Sequence, residues 1–277
     1  MLVLNEKEQK LITQKASKIR SHIVKVTCHA SSGHPGGSLS ISDIIAVLYF
    51  YWLKHDPKKP DWIERDFFVL AKGHAAPAVY SALAESGYFP TEELKTLRQI
   101  NSRLQGHPDM RSTPGIEMST GSLGQGLSTM VGISTGLKLD KKKNRVYGIL
   151  GDGECQEGQV WEAAMAASHF KCDNLTIFID KNNLQIDGST EEIMNVNPLD
   201  KKFESFGWEV ININGHNLDE IISALEKSEE IEGKPVAIIA DTVKGKGVSF
   251  MEHNLCFHGA PCSEKELTKA ICELELD

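Results

Sequence analysis

The sequence predicts an α/β fold, a parallel sheet flanked by helices, and three observations carry that expectation. Short apolar runs alternate with helical stretches along most of the 277 residues. Each run is nearly continuously apolar, as strands buried on both faces are. No Pro/Ser-rich linker, low-complexity tract or internal repeat interrupts the alternation, so residues 1–277 are expected to form one domain.

In order, residues 5–30 carry helical periodicity with few breakers. Residues 40–53 form a second expected helix, with Ser40 and Ser42 as candidate caps and Ile44, Ile45, Val47 and Leu48 to bury. Phe67 to Ala71 is a short strand running into the loop Lys72-Gly73-His74. A helix over 123–139 follows a Gly-rich entry, and strand 146–150 ends at Gly151-Asp152-Gly153. Helix 160–170 leads to strand 175–180, helix 198–206 to strand 208–213, and helix 218–227 to strand 235–240. A last helix covers 263–274.

Composition narrows the function. A net charge of −8 and the lack of a Lys/Arg-rich face argue against nucleic acid as partner. The one basic run, Lys141-Lys142-Lys143 with Arg145, sits where a helix ends, a place that favours cations. No stretch has the apolar length of a membrane span, and residues 1–10 lack the apolar core of a secretory signal. The six cysteines show neither CxxC nor zinc spacing and read as reduced thiols. A cytoplasmic protein is expected.

In an open parallel sheet, ligands bind beyond the carboxyl ends of the strands. Two consecutive strands end in cation-capable residues, Asp152 after one and Asn182-Asn183 after the next, about one βαβ repeat apart. One carboxylate, one amide oxygen and a backbone carbonyl suit a hard ion such as Mg²⁺ or Ca²⁺, with phosphate oxygens completing the shell. Gly151 and Gly153 allow close backbone approach to a phosphate at a helix N-terminus. A plain turn is the alternative for Gly-Asp-Gly taken alone.

Four of the ten histidines, His34, His74, His107 and His258, sit in Gly/Pro-rich loops, a setting that function explains better than packing does. A zinc site would need a short ligand spacing that these lack. His22, His55, His169 and His216 lie on helices or ordinary turns and are given no role.

With these stretches in view, the string Gly151-Asp152-Gly153-Glu154 followed by Asn182-Asn183 resembles the thiamine-diphosphate signature. The wider set resembles transketolase: SSGHPGGSLS (31–40), LAKGHAAPAVYSAL (70–83), GHPD (106–109), STGSLGQGLS (119–128), GDGECQEGQVWEA (151–163), NNLQIDG (182–188), DTVKGKGVSFME (241–252) and HGAP (258–261), in family order. The resemblance implies a thiamine-diphosphate-binding fold in which Asp152, Asn182 and the carbonyl of Leu184 hold Mg²⁺, with Ca²⁺ or Mn²⁺ as possible substitutes. It places His74 and His258 against the diphosphate and reacting centre, with Gly151, Gly153 and Glu154 at the diphosphate turn. His34 and His107 fall to the hydroxyls of the sugar donor, and Gly121, Ser122 and Leu123 to the cofactor rings. Ser122 stands where many transketolases have Pro. Glu157 and Glu162 fall to a subunit interface that links two active sites, and Lys244 is either a diphosphate contact or a solvated lysine.

The resemblance covers only the first of three transketolase domains, and the stretch after Pro261 has room for one helix. It therefore implies the N-terminal subunit of a split transketolase, rather than an inactive remnant. A partner chain would carry the pyrimidine-binding and C-terminal domains, in an assembly expected to be α₂β₂. The implied chemistry is transfer of a two-carbon ketol unit from a ketose phosphate to an aldose phosphate, as in the pentose phosphate pathway. Alternatives are a transketolase-type subunit for a sulfo-sugar or branched pentose, the α subunit of a 2-oxoacid dehydrogenase, and a non-catalytic cofactor-binding module.

Overall fold

The computed structural model describes residues 4–275. Helix α1 (Glu6–His29) opens with a capping box: Asn5 Oδ1 accepts from the amides of Lys7 and Glu8, and the Glu8 carboxylate accepts from the Asn5 amide at 3.0 Å. Its apolar stripe, including Ile12, Ile19 and Ile23, is fully buried, each such side chain contributing roughly 1.5–3 kcal/mol.

The helix expected over 40–53 is present over residues 42–52, its last turn π-helical, and a short helix that the sequence reading did not give precedes it. Helices α2 (Pro35–Leu39) and α3 (Ser42–Val47) flank a turn, and a π-helical turn spans Leu48–Trp52. Neither serine is an N-cap: Ser40 closes α2 as its C-cap, and Ser42 is the first residue of α3. Ser40 Oγ donates instead to Gly37 O and to Asp180, and Ser42 Oγ donates back to Ser38 O. Strand β1 (Phe67–Leu70) leads through a 3₁₀ turn into α4 (Ala76–Ser86), which ends at Gly87 with φ +94°. The periodicity reading gives no helix there. From Ala76 to Ala84 every residue is buried, so α4 has no polar face to set a 3.6-residue period.

Helix α5 (Gln125–Leu139), strand β2 (Val146–Gly151), helix α6 (Gly158–His169) and strand β3 (Leu175–Lys181) follow as expected. A hairpin of β4 (Leu184–Gln185) and β5 (Gly188–Ser189) and the single turn α7 (Thr190–Ile193) are too short to leave a sequence period. Then come α8 (Leu199–Ser205), β6 (Glu209–Asn214), α9 (Leu218–Glu230), β7 (Val236–Asp241) and α10 (Glu264–Glu275).

The five long strands form one parallel sheet in the order β1-β2-β3-β7-β6. Alternate residues feed two cores. Tyr147, Ile149, Phe178 and Ile238 pack with α1, α3, α4 and α9, while Val146, Ile177, Ile179 and Ile239 pack with α5, α6 and α8. Covering both faces explains the continuous apolar runs. All six cysteines are free of disulfides, and among the described residues no helix is long and apolar enough to cross a membrane.

Candidate active site

Four parallel strands deliver polar groups to one edge. β1 ends at Lys72 and His74, β2 at Asp152 and Glu154, β3 at Asp180, Asn182 and Leu184, and β7 at Thr242 and Lys244. With His34 and His258 these residues, Thr242 excepted, line a pocket of about 320 Å³. Gly121, Leu123, Gly151, Gly153 and Glu157 also face it.

Asp152 is 2% exposed. Its Oδ1 accepts from the Gly153 amide at 2.7 Å and its Oδ2 from the Asn183 amide at 2.6 Å, which ties the end of β2 to the end of β3. Asn182 Nδ2 donates to Asp180 at 2.8 Å, and Asn182 Oδ1 accepts from the Leu184 amide at 3.2 Å. Asn183, at φ +60°, makes the turn that starts the hairpin, and Lys244 Nζ donates to Leu184 O at 2.7 Å. Burial and the Asp180 charge push Asp152 up to about 6. A buried carboxylate short of positive charge, an amide oxygen and a carbonyl at one strand edge fit a hard divalent cation, which would hold the acid ionised. Among the described residues no three His, Cys, Asp or Glu side chains form a metal-binding group. A set with one carboxylate lies outside such groups.

Glu154 is pinned, accepting from the amides of Gly124 at 2.9 Å and Gly151 at 3.1 Å, and burial pushes it up to about 7. Lys244 Nζ also reaches His258 Nδ1 at 2.9 Å. Since the ammonium only donates, the proton of neutral His258 sits on Nε2. Burial and the Lys72 charge bring Lys244 down to about 8.

The rings of His34, His74 and His258 form a triangle with centroids 5.1, 5.6 and 5.7 Å apart. Burial, aided by Arg98, lowers His34 to about 4; burial and Lys244 lower His258 to about 4. His74 is held well below the usual imidazole range by burial and Lys72. All three are neutral near pH 7. His34 Nδ1 is buried without a hydrogen-bond partner among the described residues.

His107 does not line the pocket. Its ring packs on Gly121, whose φ of +139° and lack of a Cβ the contact requires, since a Cβ there would lie 2.8 Å from the imidazole. Ser122 Oγ accepts from Gln125, and Ser122 and Glu162 lie outside the pocket, both on the surface. Glu157 is exposed at the rim. The sequence reading missed Lys72, Asp180 and Gln185, all pocket-lining. The signal was a lysine and an aspartate each ending an apolar strand, where burial demands a counter-charge.

An open parallel sheet whose strand ends gather a cation set, two lysines and three imidazoles defines a thiamine-diphosphate-binding domain. Residues 12–277 match the family model described as the transketolase thiamine diphosphate binding domain. The chain belongs to the transketolase family of thiamine-diphosphate-dependent transferases, which sets aside the 2-oxoacid dehydrogenase reading.

It is 48% identical to the 6-deoxy-6-sulfo-D-fructose transketolase subunit SqwG of Clostridium sp. (strain MSTE9), covering 97% of this chain and 98% of that one. It is 42% identical to an apulose-4-phosphate transketolase subunit of Actinobacillus succinogenes, covering 95% and 96%. The transketolase of Campylobacter jejuni superposes with a TM-score of 0.88 at 36% identity, covering 98% of this chain and 43% of that one. The chain thus spans about two fifths of that solved transketolase and nearly all of the curated subunits.

Proposed function

We propose that this chain is the N-terminal subunit of a split transketolase, a single cofactor-binding domain that moves a two-carbon ketol unit between sugars once joined to its partner. The observation that carries the proposal is the cation set and imidazole triangle converging on one pocket at the sheet edge. Relatives of matching length that bear the word subunit in their names support the division into two chains. The partner would carry the pyrimidine-binding and C-terminal domains, in an α₂β₂ assembly in the cytoplasm.

Asp152, Asn182 and the Leu184 carbonyl would hold the divalent ion, Mg²⁺ first among the candidates. Lys72 and Lys244, with the backbone at Gly151 and Gly153, would take the diphosphate charge beside Glu154. Thiamine diphosphate, when bound, supplies the electron sink for cleaving and forming the carbon–carbon bond beside a carbonyl. His258 offers its Nε2 proton to the pocket, and His34 and His74 face the same space as neutral imidazoles able to take or give a proton. His34 and His107 would hold the donor hydroxyls; His107 would do so from behind Gly121, at the unfinished side that the partner covers. Gly121, Ser122 and Leu123 would border the cofactor rings, and Glu157 and Glu162 would face a second subunit.

The donor's anionic tail would be read by the partner. A sulfonated or branched sugar is a second reading, favoured by what the relatives at 48% and 42% identity are named for. The test is ketol transfer by the purified chain with and without its partner, assayed with phosphorylated and sulfonated ketoses. Transfer only by the pair is expected. Turnover by the chain alone would overturn the split reading, and a pair inactive with every ketose would overturn the activity.

A further inference from the structure

Beneath the cation set lies a buried polar cluster built around Asp180, a residue to which the proposed chemistry gives no part. Asp180 is fully buried at the end of β3, and Lys72 is 2% exposed at the end of β1. Lys72 Nζ donates to Asp180 Oδ2 at 2.5 Å and to Gly37 O at 2.6 Å. Ser40 Oγ donates to the same Oδ2 at 2.8 Å, and Thr242 Oγ1 donates to Oδ1. One further donor completes the Oδ2 shell, Nδ2 of Asn182 at 2.8 Å. The Asp180 carboxylate is thus fixed by α2, β1 and the loop after β7 before it meets Asn182.

An ionised carboxylate only accepts, so it must face the amide nitrogen of Asn182 and never the amide oxygen. The amide oxygen is thereby turned to the other side. There it accepts from the Leu184 amide, and that short turn carries the Leu184 carbonyl. We propose that Asp180 is the positioning residue of the cation site: by gripping the Asn182 amide nitrogen it aims both the Asn182 oxygen and the Leu184 carbonyl at the ion beside Asp152. Lys72, Ser40 and Thr242 lock the grip. This rests on the cation-site assignment proposed above. Removing such an outer partner of a metal ligand typically weakens metal binding about 10- to 100-fold.

The grip makes a prediction of opposite sign to simple ligand strength. An aspartate at position 182 is a stronger ligand for a hard cation than an asparagine. If Asp180 governs the side chain, however, Asn182→Asp sets two carboxylates against each other and loosens the ion. Replacing the gripping acid as well, in Asp180→Asn/Asn182→Asp, restores a donor facing an acceptor.

The experiment is a double-mutant cycle on the full chain, reading Mn²⁺ affinity in the presence of thiamine diphosphate by electron paramagnetic resonance, with circular dichroism to verify folding. The expected result is a loss of about 10-fold or more for Asn182→Asp and recovery of most of it in the swap. Tighter binding by Asn182→Asp with Asp180 intact, or additive effects, overturns the proposal. Should a variant fail to fold, Ser40→Ala removes one lock and is expected to loosen Mn²⁺ about 3- to 10-fold; unchanged affinity there overturns it equally. Asp152→Ala separates the two layers. If that variant keeps full affinity, the cation site itself is misplaced; if it loses affinity while the cycle is additive, only the grip fails.

Discussion

The floor and the wall of the pocket are built on opposite plans. On the floor, Asp180 and Lys72 are buried and hydrogen-bonded to each other and to Ser40, Thr242, Gly37 and Asn182. On the wall, three neutral imidazoles crowd together, and His34 Nδ1 has no hydrogen-bond partner among the described residues. A hydrogen-bonded buried network rigidifies, whereas a buried polar atom without a partner costs about 1–3 kcal/mol and marks a place shaped for something other than stability. The floor holds the fold and aims ligands; the wall is kept for chemistry.

The sharpest way to break this contrast is to unpair the floor. Lys72→Met strands the Asp180 carboxylate and is expected to cost about 3–5 kcal/mol in urea denaturation of the metal-free chain. A loss below about 1 kcal/mol would mean the floor is not structural. Next, Asp152→Ala, which joins floor to wall, is expected to weaken Mg²⁺-dependent binding of thiamine diphosphate about 100-fold by calorimetry, with little change in the melting point of the metal-free chain.

On the wall, the effects fall on function and charge. His107→Ala is expected to raise the donor KM of the reconstituted pair about tenfold while cofactor affinity stays within about twofold; the reverse order would remove His107 from the substrate side. The smallest effect is a pH slope. His34 and His258 titrate at about 4 in the fold and near 6.5 once unfolded. Between those values the unfolded chain binds more protons, so the stability these imidazoles contribute is present above 6.5 and is lost as pH falls toward 4. Asp152 and Glu154, pushed up to about 6 and about 7, act in the opposite sense, so the check is a difference. Between pH 6.5 and 4 the urea midpoint of His34→Gln/His258→Gln should fall less, or rise more, than that of the unaltered chain.

The strands were legible because β1, β2, β3 and β7 are apolar runs largely buried on both faces and edge strand β6 keeps an alternating apolar pattern; all five were read to within a residue or two. Helix α4 was not, because burial on every side erased its period. The turn between α2 and α3 was not, because the Ser40 hydroxyl is spent on a carboxylate 140 residues away. In the site, local strings exposed Asp152, Asn182, Leu184 and the loop imidazoles. Lys72 and Asp180 escaped because their pairing spans 108 residues and no local string records it. His107, expected at the donor hydroxyls, packs against the pocket-lining Gly121.

The sheet order carries a consequence for synthesis. β7, the last strand in sequence, fills an interior place between β3 and β6. Until residues 236–241 have left the ribosome, both neighbours present open ladder edges, the kind that recruit strands from other chains. A nascent chain of this protein therefore has its greatest need of a chaperone between the emergence of β6 and that of β7.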